Sequence, residues 1–235
     1  MSSPVVSVII PAYNEEKTIG EVISNTVSVM KNLNVPFEII VVDDGSMDRT
    51  REIASKYNVK VLTNTTNRGK GYSLQRGFRE AKGEIIITLD ADGSHDPKEI
   101  PKLITPLFNG VDIAIGSRFL NGNGNKTTSK LNLVGNFIFN VLIFSLTGKL
   151  ITDSQTGFRA YKKRVLEEIE VESTGYEIET ELTVKGLKNG FVVKEEPINC
   201  KKRKDGFSKL SAFSDGVKIL KTILKYNFSS NKIST

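Results

Sequence analysis

The stretch Glu84-Ile-Ile-Ile-Thr-Leu-Asp-Ala-Asp-Gly-Ser-His-Asp-Pro97 passes from a β-branched apolar run straight into two carboxylates, and then into an aspartate followed by proline. The run predicts a strand over Glu84–Leu89, and its β-branched residues without polar alternation are the mark of a parallel sheet flanked by helices. Asp96 before Pro97 describes a helix start, since the carboxylate accepts backbone N–H groups and proline at the first helical position has none to lose. The same half-unit recurs upstream. Strands are predicted over Val5–Ile10, Phe37–Val42 and Val59–Leu62, with a fifth over Val111–Ile115. Helices are predicted over Glu15–Met30, Asp48–Tyr57, Lys70–Ala81 and Pro97–Phe108. This order gives an α/β fold with an open, mainly parallel sheet flanked by helices. In such sheets ligands sit beyond the carboxyl ends of the strands, so Pro11–Glu15, Asp43–Asp48, Asn64–Gly71 and Asp90–Asp96 are expected on one rim.

Beyond Arg118 the composition changes. Asn121 to Lys130 is a run of turn formers and hydroxyls, too long for a tight connection and read as a mobile lid or acceptor loop. Leu131–Leu146 follows as a strongly apolar helix, Tyr161–Ile169 and Ile178–Lys188 as further helices, Phe191–Pro197 as a strand, and Leu210–Tyr226 as a basic amphipathic helix. No repeat or clean linker divides the 235 residues, so one domain is expected. The apolar stretch at Leu131–Leu146 is interrupted by Asn132, Asn136, Asn140 and Ser145 and is shorter than the roughly 20 residues of a membrane span. Its apolar residues extend nearly all round the helix, with Lys126, Lys130 and Lys149 at its flanks. It is read either as a helix lying in a membrane interface or as one buried in the core or a homodimer contact. Nothing in Met1 to Pro11 resembles a secretory leader, and a cytoplasmic chain is expected.

Counting residues removes whole classes of chemistry. One cysteine, Cys200, and one histidine, His95, exclude an intrachain disulfide, thiolate metal sites and zinc hydrolase motifs. An excess of 33 Lys and Arg over 27 Asp and Glu gives a net charge of +6, which favours an anionic partner. Nucleic acid would satisfy the charge, but no aromatic ring set interleaves with the cations and no binding module is present. Pro11-Ala-Tyr-Asn-Glu15 stands where a dinucleotide fold would carry GxGxxG. Asp90-Ala91-Asp92 places hard oxygen ligands on the rim, suited to Mg²⁺ or Mn²⁺ held directly or bridged to a diphosphate. Asp43 or Asp44 is placed to accept hydrogen bonds from a base edge or a ribose. Ser46 and Asp48 are read as structural, as is His95 in the turn before a helix.

Taken in order, Pro11-Ala-Tyr-Asn-Glu15, Val42-Asp-Asp-Gly-Ser46, Arg68-Gly-Lys-Gly71, Asp90-Ala-Asp92, Gly116-Ser-Arg118, Asp153-Ser-Gln-Thr-Gly-Phe-Arg159 and Arg203-Lys-Asp-Gly-Phe-Ser-Lys209 resemble inverting family 2 glycosyltransferases of the GT-A fold. Within them the chain is most similar to dolichyl-phosphate and polyprenyl-phosphate mannose or glucose synthases, from Val5 to about Tyr226. The resemblance implies a nucleotide-sugar-binding half, residues 1–118, and an acceptor-binding half with C-terminal helices, residues 119–235. It implies that Pro11, Tyr13, Asn14, Glu15, Val42, Asp44, Lys70 and Ala91 surround a UDP- or GDP-sugar, with Asp90, Asp92 and Ser94 at the metal. Arg203 and Lys209 would close over the donor diphosphate, and Arg118 with Lys130 would meet the phosphate of the polyprenyl acceptor. The implied place of work is the cytoplasmic face of a membrane, held peripherally.

Two positions depart from the pattern. Ser94 stands where mannose synthases of this type often carry a metal-site glutamine, and Glu177 where they often carry a lysine. The second, with Asp153-Ser-Gln-Thr-Gly157, leans toward a glucose-type or generic polyprenyl-phosphate branch. A phosphate acceptor, ionised near neutrality, needs no strong base. A saccharide or lipid hydroxyl, the alternative acceptor, would need one, and Asp153 is then the candidate, set against its reading as a residue that orders the active-site loop.

Overall fold

The computed structural model describes residues 4–122, 124–201 and 214–227. Seven strands run β1 (Val6–Ala12), β2 (Phe37–Asp43), β3 (Lys60–Thr63), β4 (Ile85–Thr88), β5 (Ile113–Ser117), β6 (Arg159–Lys162) and β7 (Val193–Pro197). The helices are α1 (Ile19–Asn32), α2 (Thr50–Ala54), α3 (Lys70–Glu80), α4 (Ile100–Phe108), α5 (Gly124–Thr127), α6 (Lys130–Thr147), α7 (Lys163–Glu168), α8 (Ile178–Lys188) and α9 (Ser214–Asn227). They form one mixed sheet in the order β3-β2-β1-β4-β6-β5-β7, parallel except where β6 runs against β4 and β5.

The apolar runs form the strands because both sheet faces are covered. Val8, Ile10, Val41 and Ile87 point into one core with α1 and α4, whereas Ile9, Ile40, Val42 and Ile86 point into the other with Leu74 of α3 and Leu182 of α8. A third cluster joins Ile143 of α6 to Val184 of α8 and to Ile219 and Ile223 of α9. Asp96 starts the segment before α4 as its sequence indicates, its carboxylate accepting the Lys98 N–H at 3.1 Å, although Pro97–Glu99 form a 3₁₀ turn ahead of the helix.

Two expectations are corrected. The helix expected over Tyr161–Ile169 begins at Lys163, and Arg159 to Lys162 are a strand. β4 and β5 each present an open edge, and a four-residue segment between them satisfies both, which overrides a local pattern too short to distinguish helix from strand. The polar loop after Arg118 is not all loop, since Gly124–Thr127 make a helical turn.

Candidate active site

β1, β2 and β4 end side by side, and a cavity of about 410 Å³ lies against their carboxyl ends. The end of β1 contributes Pro11, the loop after it contributes Tyr13 and Glu15, and the loop after β2 contributes Asp44. Gly69, Lys70 and Ser73 come from the start of α3, and Asp90, Ala91 and Asp92 follow β4. Tyr176, in the segment leading to α8, completes the wall.

These loops are tied to one another rather than to the core. Asp44 is buried and accepts from the backbone of Arg68 at 2.9 Å, of Gly69 at 2.8 Å, and from Asn64 Nδ2 at 2.7 Å. Its carboxylate therefore folds the Asn64–Gly69 turn over the sheet. Asn14 and Ser46 cross-link the first two loops, Asn14 N–H donating to the Ser46 hydroxyl and Met47 N–H to Asn14 Oδ1. Gly69 has φ +96°, and a Cβ there would stand 2.4 Å from the Thr174 carbonyl, so the segment carrying Tyr176 closes on α3 only over a glycine.

At the bottom of the cavity Lys70 Nζ lies 2.7 Å from Asp90 Oδ1 and 2.7 Å from Glu179 Oε1. Burial opposes the ammonium charge, but the two carboxylates outweigh it and raise the Lys70 pKa. Gly157 makes room for this contact, since a Cβ would stand 2.5 Å from Lys70 Nζ and 2.7 Å from Asp90 Oδ1. His95 stacks on Phe158, with ring centroids 5.2 Å apart, and burial pushes its imidazole below the ordinary histidine range, leaving it neutral near pH 7. Asp92 Oδ1 accepts the Ser94 N–H at 2.9 Å.

Asp90 and Asp92 are hard oxygen donors that fit Mg²⁺ or Mn²⁺. Among the described residues no group of three His, Cys, Asp or Glu is placed to hold a metal ion. The donor set therefore suits a cation whose remaining ligands arrive with an anionic substrate. Ser94 is not on the wall with Asp92. It lines a second cavity instead.

That second cavity, of about 530 Å³, lies under the N-terminal half of α6. Lys70, Asp90 and Tyr176 line both cavities and mark where the two meet. Arg118, at the end of β5, projects into it and is gripped by Asp153, with Nε to Oδ2 at 2.7 Å and Nη2 to Oδ1 at 2.8 Å. Asp153 is fully buried and also accepts the Arg118 backbone N–H at 3.1 Å. Burial opposes the guanidinium charge and Asp153 more than restores it, so Arg118 stays charged. Two of the guanidinium N–H groups are committed to Asp153, and among the described residues Nη1 makes no hydrogen bond. Leu131, Val134 and Ile138 line this cavity and are also among the exposed apolar residues of α6, so its wall continues onto an apolar outer surface.

Residues 7–170 match the family described as Glycosyl transferase family 2. The chain belongs to that family. This glycosyltransferase is 38% identical to the dolichol-phosphate mannosyltransferase of Pyrococcus furiosus, over 94% of this chain and 61% of that protein. It is 34% identical to the polyprenol monophosphomannose synthase of Mycolicibacterium smegmatis, over 87% of this chain and 80% of that one. With the dolichyl-phosphate hexose transferase of Haloferax volcanii it shares 32% identity, over 93% and 92% of the two chains. Its fold matches glucosyl-3-phosphoglycerate synthase from Mycobacterium tuberculosis, solved with Mn²⁺, UDP and phosphoglyceric acid, at a TM-score of 0.79 and 22% identity, covering 97% of this chain and 80% of that one.

In this glycosyltransferase the residues expected from sequence divide cleanly. Pro11, Tyr13, Glu15, Asp44, Lys70, Asp90, Ala91 and Asp92 share the first cavity. Asn14 braces that cavity from behind, and Val42 lies in the core beneath it. Arg118 reaches the second cavity, whereas Lys130 is exposed beside it, between the lining residues Ser129 and Leu131. Arg203 and Lys209 lie outside the described residues. Sequence reading missed Glu179, Tyr176 and Glu195. Glu179 sits in the first turn of α8, and only the folded chain brings it to Lys70.

Proposed function

We propose that this glycosyltransferase moves one sugar, with inversion, from a UDP- or GDP-sugar to a dolichyl or polyprenyl phosphate at the cytoplasmic face of a membrane, with Mg²⁺ or Mn²⁺. The observation that carries this reading is the meeting of a polar cavity at the strand ends with a cavity that holds Arg118 and opens onto exposed apolar residues of α6. A diphosphate beside Asp90, Asp92 and Lys70 sets the anomeric carbon at the junction, under Tyr176. A phosphate oxygen of the acceptor, held by Arg118, attacks that carbon as the bond to the diphosphate breaks, and the configuration inverts.

When bound, the cation offsets the negative charge that develops on the leaving diphosphate. Lys70 contributes a second positive charge at the same place, fixed by Glu179 before the substrate arrives. No proton has to be removed from an acceptor phosphate, whose second pKa is near 6. That agrees with the position of Asp153, whose two oxygens are occupied by Arg118. A hydroxyl acceptor would need that carboxylate released. The names of the three relatives cited above, each a lipid-phosphate sugar transferase, support the same acceptor class. Leu131, Phe137 and Phe144 are 66%, 69% and 49% exposed, and α6 is long and apolar enough by length and composition to cross a membrane. Its inner side is bonded to the domain, which favours α6 lying in the interface plane with the lipid tail along it.

The test is incubation of labelled UDP- and GDP-sugars with Mg²⁺ or Mn²⁺ and a polyprenyl phosphate in vesicles, followed by organic extraction. Label is expected in the organic phase as an acid-labile glycosyl phosphate. Label confined to a saccharide or a lipid hydroxyl, with none on the phosphate, overturns the reading.

A further inference from the structure

A surface helix ordinarily buries its apolar stripe and shows polar residues to water. α6 does the reverse at two positions. It buries Asn136 and Asn140, together with Ile143, and exposes Leu131, Val134, Phe137, Val141 and Phe144. The two amides, one helical turn apart, donate to the same acceptor, the Thr152 carbonyl, at 2.9 and 2.8 Å. Apolar packing would let such a helix slide, whereas two directed bonds to one oxygen fix its register.

The bonding continues beyond Thr152. Its N–H donates to Glu195 Oε2 at 2.8 Å, and its hydroxyl and the Asp153 N–H donate to Glu195 Oε1 at 3.0 and 2.9 Å. The Thr152 hydroxyl also lies 2.7 Å from that of Ser117, the residue before Arg118. Asp153 then grips the Arg118 guanidinium through two oxygens. One continuous set of part-buried bonds thus runs from the inner side of α6 to the Arg118 guanidinium in the second cavity. We infer that Asn136, Asn140 and Glu195 are positioning residues that aim Arg118 into the acceptor cavity, so that seating α6 in a lipid surface is coupled to the presentation of Arg118.

The inference rests on the acceptor reading above for its consequence but not for its geometry, and the test separates the two. In protein labelled with ¹⁵N-arginine, the Arg118 Nε–H bonded to Asp153 exchanges slowly with solvent. Exchange is expected to slow further when anionic phospholipid vesicles are added. In Asn136→Ala/Asn140→Ala, and separately in Glu195→Gln, that proton is expected to exchange faster. The double alanine variant also loses the response to vesicles. In parallel, the KM for polyprenyl phosphate rises roughly tenfold while the donor Kd by calorimetry stays within about twofold. Unchanged Arg118 exchange in both variants overturns the inference whatever the acceptor is. So does a donor Kd that weakens as much as the acceptor KM, because that reports general loosening. A wild-type protein that glycosylates no polyprenyl phosphate overturns the proposed function instead, and leaves the exchange measurement to decide the coupling.

Discussion

The cavity at the strand ends is walled by loops that spring directly from β1, β2 and β4 and are laced together by Asp44, Asn14 and Ser46. The cavity beneath α6 is walled by a helix whose partners are α8, α9 and the backbone of Thr152. One is a rigid frame made from the sheet. The other is an attached part, held on its inner side by a few polar bonds and by the apolar cluster around Ile143, and apolar on its outer side. On the proposed function, the difference matches what each would handle: a charged, water-soluble diphosphate on one side, and on the other a phosphate whose tail stays in lipid. On the same reading, damage to the first cavity removes chemistry, whereas damage to the second removes delivery.

The largest effect is expected on the first side. Asn at position 92 keeps an amide oxygen for the Ser94 N–H, so the loop is retained while the charge needed for a cation is lost. Asp92→Asn is expected to lower turnover by on the order of 100- to 1000-fold, with an unchanged circular dichroism spectrum. Near-normal turnover by the folded variant breaks the assignment of this side to metal and diphosphate.

A smaller and more selective loss is expected at Arg118. Removing a charge-assisted hydrogen bond to the acceptor phosphate costs about 2 to 3 kcal/mol, or roughly 30- to 150-fold. Arg118→Ala should show this in acceptor KM or turnover while nucleotide-sugar binding by calorimetry stays almost unchanged. Because Ala leaves Asp153 buried without its partner, Arg118→Lys serves as the companion variant, retaining charge and losing the fork. Equal losses of donor and acceptor binding in the lysine variant would erase the two-cavity division.

The smallest effect sharpens the comparison at its outer edge. Phe137 is 69% exposed and lines neither cavity. Phe137→Glu should weaken binding to anionic vesicles on the order of tenfold, the worth of one large apolar side chain at an interface. Turnover on a short, water-soluble isoprenyl phosphate should not change. A loss on the soluble acceptor as large as that on vesicles would mean that the outer face of α6 does something other than meet lipid.

Much of the first cavity was legible before any coordinates, for a physical reason. A loop that follows directly on a buried strand has its position fixed by the strand, and the strands announce themselves by uninterrupted β-branched runs. Asp44, Asp90 and Asp92 could therefore be placed on one rim from the sequence alone. The second cavity depends on pairs that no local pattern records. Asp153 reads as a base for a hydroxyl acceptor or as a residue that orders the active-site loop until Arg118 is seen on it, and Glu195 reads as one of two acids in a strand. Asn136 and Asn140 look like interruptions of an apolar helix and turn out to be its attachment. β6 was lost for the same reason, since the segment Arg159–Lys162 is a strand only because two open edges flank it.

That inserted strand has a consequence for how such enzymes diversify. β5 comes from the first 118 residues, yet it never touches β4 directly, because β6 from the later part of the chain lies between them and β7 lies outside. A crossover between two relatives at residue 118 would thus bring a foreign strand into the middle of the sheet, with Arg159 at its start holding the carbonyls of Ser154, Thr156 and Glu179. Inheritance of a new acceptor by exchanging the C-terminal half as a cassette is disfavoured by that weave. Grafts confined to the segment from α5 through α6 leave every strand with its native neighbours, and chimeras built there are the ones that should fold.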